Sequence, residues 1–174
     1  SAVQSTKRLL NVARLSKKKI HILHLSTADE VDLLKNNKNI ATCEVTPQHL
    51  FFSSPECYEK LGSFAQMNPP IRDKSHTKGL WDGVSQGVID VIGSDHAPHT
   101  LEEKKKIYPS SPSGMTGVQT LLPVMLDFVN KKKISIFDLV RLLCVNPCKI
   151  YNVLNKGNIN IGYDADLTVL DMNK

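Results

Sequence analysis

The chain has 174 residues, enough for one domain with a buried core, and its 41% hydrophobic and 22% charged residues are ordinary for a globular fold. Its net charge of +5 is dispersed over short lysine runs at 17–19, 104–106 and 131–133 with no interleaved aromatic residues, which argues for solvated faces and against a nucleic-acid platform. No apolar span of about 18 residues or signal-like stretch occurs, and Cys43, Cys57, Cys144 and Cys148 lack Cys-x-x-Cys spacing, so the expectation is no membrane span and unpaired thiols in a reducing cytoplasm.

Val3, Leu9, Leu10, Val12 and Ala13 among polar residues predict an amphipathic helix over 3–15. Residues 19–26 read as a strand, in which period-two alternation puts Ile20, Ile22 and His24 on one face and His21, Leu23 and Leu25 on the other. A histidine so placed is either a hydrogen-bonded core residue or a ligand near the strand's C-terminal end. Thr27-Ala28-Asp29-Glu30 has the form of a capping box and starts a helix through Val31, Leu33 and Leu34. Residues 39–47 give the next strand. Glu44 at its centre needs a solvated rim, a cation, a metal site or a hydrogen-bonded network, because an unpaired buried carboxylate is costly.

Residues 51–78 read as a long irregular stretch with a helical turn near Tyr58 to Leu61. Within it, Asn68-Pro69-Pro70-Ile71-Arg72 is either a rigid turn or a stiff mount for Asn68 and Arg72. A helix over 78–86 leads to a β-branched strand over 88–94. That strand delivers Gly93-Ser94-Asp95-His96-Ala97-Pro98-His99, a small, polar block at the end where α/β folds present catalytic groups. An Asp alone would read as a turn cap; the whole block reads as a site. Further on come a Pro/Ser/Gly loop over 108–117, a helix over 118–130, a Ser135-capped helix through Leu143 and a short helix begun by Asn146-Pro147. Two short strands at 159–162 and 167–171 look like an appendage. The strand–helix alternation before them predicts a parallel α/β arrangement.

The block Gly93-Ser94-Asp95-x-Ala97-Pro98-His99, followed by four residues and Lys104, resembles a signature of the class I dihydroorotases, in the amidohydrolase superfamily of metal-dependent barrel enzymes. The resemblance runs along nearly the whole chain. His21-x-x-His24-x-Ser26-Thr27 resembles a family strand whose second His binds the more buried metal, which implies a metal role for His24. Glu44 to Leu50 resembles the next segment, where many members have His at the place of Gln48. Asn68-Pro69-Pro70-Ile71-Arg72 resembles a loop whose Asn meets the substrate. By the same resemblance Asp95 binds the other metal and shuttles the proton, His99 binds substrate, and Ser113 and Gly114 meet it through their backbone. Gly162 to Leu167 resembles the return into a small β-sandwich.

The implied fold is α/β: the C-terminal part of a TIM-type (β/α)8 metal-dependent hydrolase barrel over 1–155, with the start of an appended small β-sandwich over 156–174. The implied activity is reversible hydrolysis of dihydroorotate to N-carbamoyl-L-aspartate in pyrimidine synthesis, using two zinc ions per complete site. Two metals supply a nucleophile and a polarised carbonyl at neutral pH, and Asp95 a proton for the departing nitrogen. The implied partners are a small anionic substrate, a second copy of the chain and an aspartate transcarbamoylase, with no nucleic acid or membrane, in the cytoplasm. Neighbouring readings are a hydantoinase, dihydropyrimidinase or allantoinase, and an inactive dihydroorotase-like binding module. The family's His-x-His pair, its bridging carboxylated Lys or Asp and its further metal His are not found among these residues. The expectation is therefore a half-barrel with open sheet edges and no competent two-metal site of its own.

Overall fold

The apolar spacing at the start of the chain becomes α1 (Ala2–Ser16), which buries Thr6, Leu10 and Ala13. The computed structural model describes residues 1–172. After α1 it places β1 (Ile20–Ile22), α2 (Ala28–Lys35), β2 (Ala41–Val45), α3 (Pro47–Phe51), α4 (Glu56–Leu61), α5 (Lys74–Ser85), β3 (Val91–Ile92) and α6 (Leu101–Lys104). Then follow α7 (Leu121–Asn130), α8 (Ile136–Val140) and α9 (Asn146–Tyr151). Two compact units result, Ser1–Leu121 and the residues from Leu122 onward. None of the described helices is long and apolar enough to cross a membrane.

In the first unit the three strands form one parallel sheet in chain order, with Ile20 beside Ala41, Ile22 beside Cys43, and Glu44 beside Val91. Ala41, Cys43 and Val45 are fully buried while Thr42 and Glu44 are not, so β2 has an apolar face and a polar one. Helices α1 and α2 pack on β1 and β2, and α2 packs on α5. The α2–α5 approach is close because the facing residues are small. A Cβ on Gly79 would lie 2.3 Å from Ala28 Cβ, and one on Gly83 would lie 2.7 Å from Val31 Cγ1. Behind this contact Glu30, only 4% exposed, accepts hydrogen bonds from the hydroxyls of Thr6 and Thr27, both at 2.9 Å, and from the amide of Ser26. The predicted Thr27 cap is formed, its hydroxyl accepting from the Glu30 amide.

The polar face carries His21, Thr42 and Glu44. His21 Nδ1 lies 2.7 Å from Thr42 Oγ1, and its Nε2 lies 3.4 Å from Glu44 Oε2. A side chain on Gly93 would strike Glu44, its Cβ falling 2.7 Å from Oε1. Of the environments open to Glu44, the structure supplies a hydrogen-bonded network.

Several elements differ from the sequence reading. The strands expected over 19–26 and 88–94 are shorter, Ile20–Ile22 and Val91–Ile92, although single bonds continue from the Leu25 amide to the Glu44 carbonyl and from the Gly93 amide to the Val45 carbonyl. The 51–78 stretch is ordered: α4 and a 3-10 turn, Gly62–Ala65, enclose a small core of Cys57, Ala65, Met67 and Ile71, flanked by Phe52, Tyr58 and Met115. The helix expected from 118 starts at Leu121, since the amides of Gly117 and Val118 donate instead to His96 Nδ1 at 3.0 and 3.3 Å.

In the second unit, α8 and α9 are not separate helices. They run on through a π turn, Arg141–Val145, in which the Asn146 amide reaches the Arg141 carbonyl. Pro147 has no amide for the carbonyl four residues earlier and its ring would crowd that carbonyl, and the wider turn relieves both conflicts. The two strands expected at 159–162 and 167–171 are not formed. Alternation fixes which side chains share a face, but a strand needs a ladder partner, and a lone hairpin is marginal. Ile159, Ile161, Leu167 and Val169 are accordingly exposed, and Lys156 bridges Asp164 and Asp166 across the turn.

Candidate functional site

His24 and Asp95 follow β1 and β3 by two and three residues, and both have a left-handed backbone, with φ of 36° and 44°. Among the described residues, non-glycine positive φ occurs otherwise at Lys17, Lys132, Asn152 and Asn155, of which Lys17 and Asn152 are helix C-caps. A left-handed His or Asp at a strand end is uncommon, costs about 1–3 kcal/mol, and persists only where its neighbours impose it. At these two places they do. The Leu25 amide donates to the Glu44 carbonyl at 2.8 Å, and Leu25 is fully buried. The Gly93 amide donates to the Val45 carbonyl, Gln48 Nε2 to the Ser94 carbonyl, and the Ala97 amide to the Met115 carbonyl. The predicted grouping of His24 with Ile20 and Ile22 on one strand face is thereby corrected: the strand ends before His24.

Asp95 leads directly to His99, and here three of the predicted substrate residues come together. His99 Nε2 lies 3.1 Å from the Ser113 carbonyl, and a Cβ on Gly114 would lie 3.1 Å from the same nitrogen and 2.7 Å from Ala97 Cβ. Gly114 has φ of 141°, so both conformation and close approach require glycine there. Behind this loop sits Lys104, 6% exposed, its ammonium donating to the carbonyls of Gln66, Pro112 and Gly114 at 3.0–3.1 Å. Burial pulls the Lys104 amine below the usual lysine range.

Asn68, the fourth predicted substrate residue, is exposed on the 62–73 segment. Its neighbours are fixed from below by a residue the sequence reading left without a role. His49, fully enclosed on α3, has Nε2 3.0 Å from the Pro69 carbonyl and Nδ1 2.8 Å from Thr46 Oγ1. A carbonyl can only accept, so Nε2 carries the proton and Nδ1 accepts from the Thr46 hydroxyl. Burial pushes the His49 imidazole down to about 4; the Pro69 bond opposes that, and the charges of His24 and Arg72 add to it. The only sequence signal for it is the Thr46-Pro47-x-His49 helix start.

His24 and Asp95 offer one imidazole and one carboxylate. Among the described residues no group of three or more His, Cys, Asp or Glu side chains could hold a metal ion. Zinc takes three or four protein ligands, so these residues do not complete a zinc site, and no reaction step runs through zinc on them alone. Beside them Gln48 leaves its Oε1 buried and without a hydrogen-bond partner.

A model of the amidohydrolase family matches residues 6–174. Among curated proteins the chain is similar to the dihydroorotase of Methanosarcina mazei, 40% identical over 98% of this chain and 39% of that protein. It is 39% identical to the dihydroorotase of Pyrococcus horikoshii over 99% of this chain and 39% of the relative. The chain thus spans 39% of the length of these relatives. Among solved structures, the L-hydantoinase (dihydropyrimidinase) from Arthrobacter aurescens superposes with a TM-score of 0.88 at 30% identity, over 94% of this chain and 38% of that one. A D-hydantoinase superposes with a TM-score of 0.84 at 26% identity over the same shares.

Proposed function

The chain belongs to the amidohydrolase family, and from that premise we propose that it is the C-terminal part of a dihydroorotase barrel that opens and closes a cyclic amide bearing a carboxylate. The observation that carries this reading is the docking of His99 on the Ser113–Gly114 turn, directly beyond Asp95. That docking gathers three of the residues which the resemblance assigns to substrate binding, a few residues beyond the carboxylate it assigns to proton transfer. The curated relatives named dihydroorotase, at 40% and 39% identity, favour the same choice.

In the whole protein, His24 and Asp95 would hold zinc together with ligands outside these residues, and zinc would supply an activated water and a polarised carbonyl. The remaining roles fall to the chain itself. The Asp95 carboxylate takes a proton and hands it to the departing ring nitrogen. His99 and the Asn68 amide orient the carboxylate-bearing ring, and the backbone at Ser113 and Gly114 meets the substrate. In the longer protein the parallel sheet would continue on both sides into a (β/α)8 barrel, and the exposed apolar residues of 159–169 would pair as strands of a small β-sandwich. A homodimer and an aspartate transcarbamoylase partner belong to this reading too.

A second reading, a hydantoinase or dihydropyrimidinase, is favoured by the superposition on the Arthrobacter aurescens enzyme. A third reading is an inactive dihydroorotase-like binding module. Assaying the complete protein on dihydroorotate and on hydantoin, with its zinc content measured, separates all three. Turnover of dihydroorotate is expected. Turnover of hydantoin alone would establish the second reading, and no turnover without zinc the third.

A further inference from the structure

We propose that Lys104 is a positioning residue for substrate: its buried ammonium holds together the loops that carry Asn68, Ser113 and Gly114 in their binding geometry. The inference rests on the dihydroorotase reading for the identity of the ligand, and on this structure alone for the tether.

A buried lysine ordinarily seeks a carboxylate, because an isolated charge is costly to remove from water. Lys104 has instead satisfied all three of its donors with backbone carbonyls, those of Gln66, Pro112 and Gly114. These acceptors come from two segments remote in sequence. Gln66 stands two residues before Asn68, and Pro112 and Gly114 bracket Ser113. The backbone of Lys104 is pinned in turn, since its carbonyl accepts from the hydroxyls of Ser63 at 2.5 Å and Ser111 at 3.4 Å. Around it the two loops also touch directly. The Gly114 amide donates to the Gln66 carbonyl at 2.9 Å, and Gln66 Nε2 donates to the Ser111 carbonyl and Ser113 Oγ.

The Gln66 carbonyl therefore takes two donors, one from Lys104 and one from the loop that His99 contacts. On the far side of Asn68, His49 fixes the Pro69 carbonyl. Asn68 is held at both ends, and the Lys104 end is the one shared with Ser113 and Gly114. The Gln66 side chain bridges the same two loops at Ser111 and Ser113, and Lys104 adds one bond on the Asn68 side and two that flank Ser113. The ammonium suits the task because its three donors splay in a tripod, whereas the planar arginine fork cannot converge on three carbonyls around one point.

Among the described residues Lys104 has no carboxylate partner, and its contacts are with the loops that carry the substrate residues. Its removal should therefore weaken substrate positioning more than the chemical step. The test uses the complete protein, comparing Lys104→Met, which keeps the side-chain volume, and Lys104→Arg, which keeps the charge. For Lys104→Met the KM for dihydroorotate should rise about thirtyfold while kcat changes by less than about threefold. Zinc content should be unchanged, and the Gly114 amide should exchange with solvent faster as its bond to Gln66 loosens. Lys104→Arg should shift KM in the same direction, and it carries the test should Lys104→Met fail to fold. An unchanged KM with an equally protected Gly114 amide would overturn the proposal, as would, in a variant that folds, a fall in kcat larger than the rise in KM. If the wild-type protein opens hydantoin and not dihydroorotate, the dihydroorotase reading fails. The Gly114 exchange and the KM for hydantoin then decide the tether on their own.

Discussion

Lowering the pH should strip stability from this protein through one enclosed imidazole, His49. The residue is 2% exposed, and its neutral form is fixed by donating to the Pro69 carbonyl and accepting from Thr46. Protonation would place a charge in that enclosure beside Arg72 and facing His24. The folded value of about 4 lies below the unfolded 6.5, so the neutral form is the one that folding favours. The stabilisation is therefore fully present above 6.5 and is lost as pH falls toward 4. Linkage gives a loss of about 2 kcal/mol at pH 5 and about 3 kcal/mol at pH 4, a large part of a typical folding free energy. The perturbation that isolates it is His49→Gln, whose amide can still donate to Pro69 but cannot titrate. Urea unfolding of parent and variant at pH 7.5, 6, 5 and 4.5 gives two stability curves. They should diverge below pH 6.5, the parent falling more steeply by about 2 kcal/mol at pH 5. Parallel curves would refute the reasoning, because the imidazole would then be able to charge where it sits.

Two other perturbations test the helix packing and the proton transfer. Gly79→Ala sets a helix-propensity gain of about 1 kcal/mol against a Cβ placed 2.3 Å from Ala28 Cβ and 3.0 Å from Ala28 Cα, and the clash, costing about 1–3 kcal/mol, should win. A lower urea midpoint, partly restored by Ala28→Gly in the same chain, is the expected result; a variant more stable than the parent would show that the helices can part freely. Asp95→Asn should leave stability within about 0.5 kcal/mol, since Asn accepts the left-handed backbone at that position, while dihydroorotate turnover by the complete protein falls about a thousandfold. Retained turnover would remove Asp95 from proton transfer.

Much of the helical shell was legible because burial of one face writes a 3.6-residue period into the sequence, as at Leu10 and Ala13 of α1 or Leu80 and Val84 of α5. The caps at Thr27 and Ser135 were legible for a similarly local reason. What depends on a distant partner was not. The tail at 159–171 alternates like two strands, yet alternation does not supply the neighbouring ladder. In the 51–78 stretch only the helical turn near Tyr58 to Leu61 was legible, because the small core draws Cys57, Ala65, Met67 and Ile71 from positions with no regular spacing. Of the site, the block from Gly93 to His99 was readable as chemistry. The Thr46-Pro47-x-His49 start and the signature ending in Lys104 mark the residues themselves, but the reach of His49 to Pro69 and of Lys104 to three carbonyls spans 8 to 38 residues and hides the partners.

The position of His24 explains why β1 stops before its apolar run does, and Asp95 follows β3 in the same way. A residue that continues a strand must point its side chain to one face or the other, into the helix-covered core or across the His21–Glu44 face. Neither direction leads out along the strand axis, where a ligand could be met. A positive φ at the residue that should have continued the strand breaks the alternation and re-aims that side chain, at a backbone cost the following residue must hold in place. After His24 that residue is Leu25, buried and bonded to the Glu44 carbonyl. Around Asp95 the task falls to Gln48 on the Ser94 carbonyl and to the Ala97–Met115 bond. Two strained residues of different type, held by unrelated contacts at equivalent ends of two parallel strands, are hard to account for as folding accidents. They are what a sheet needs in order to present an imidazole and a carboxylate beyond the carboxyl ends of its strands.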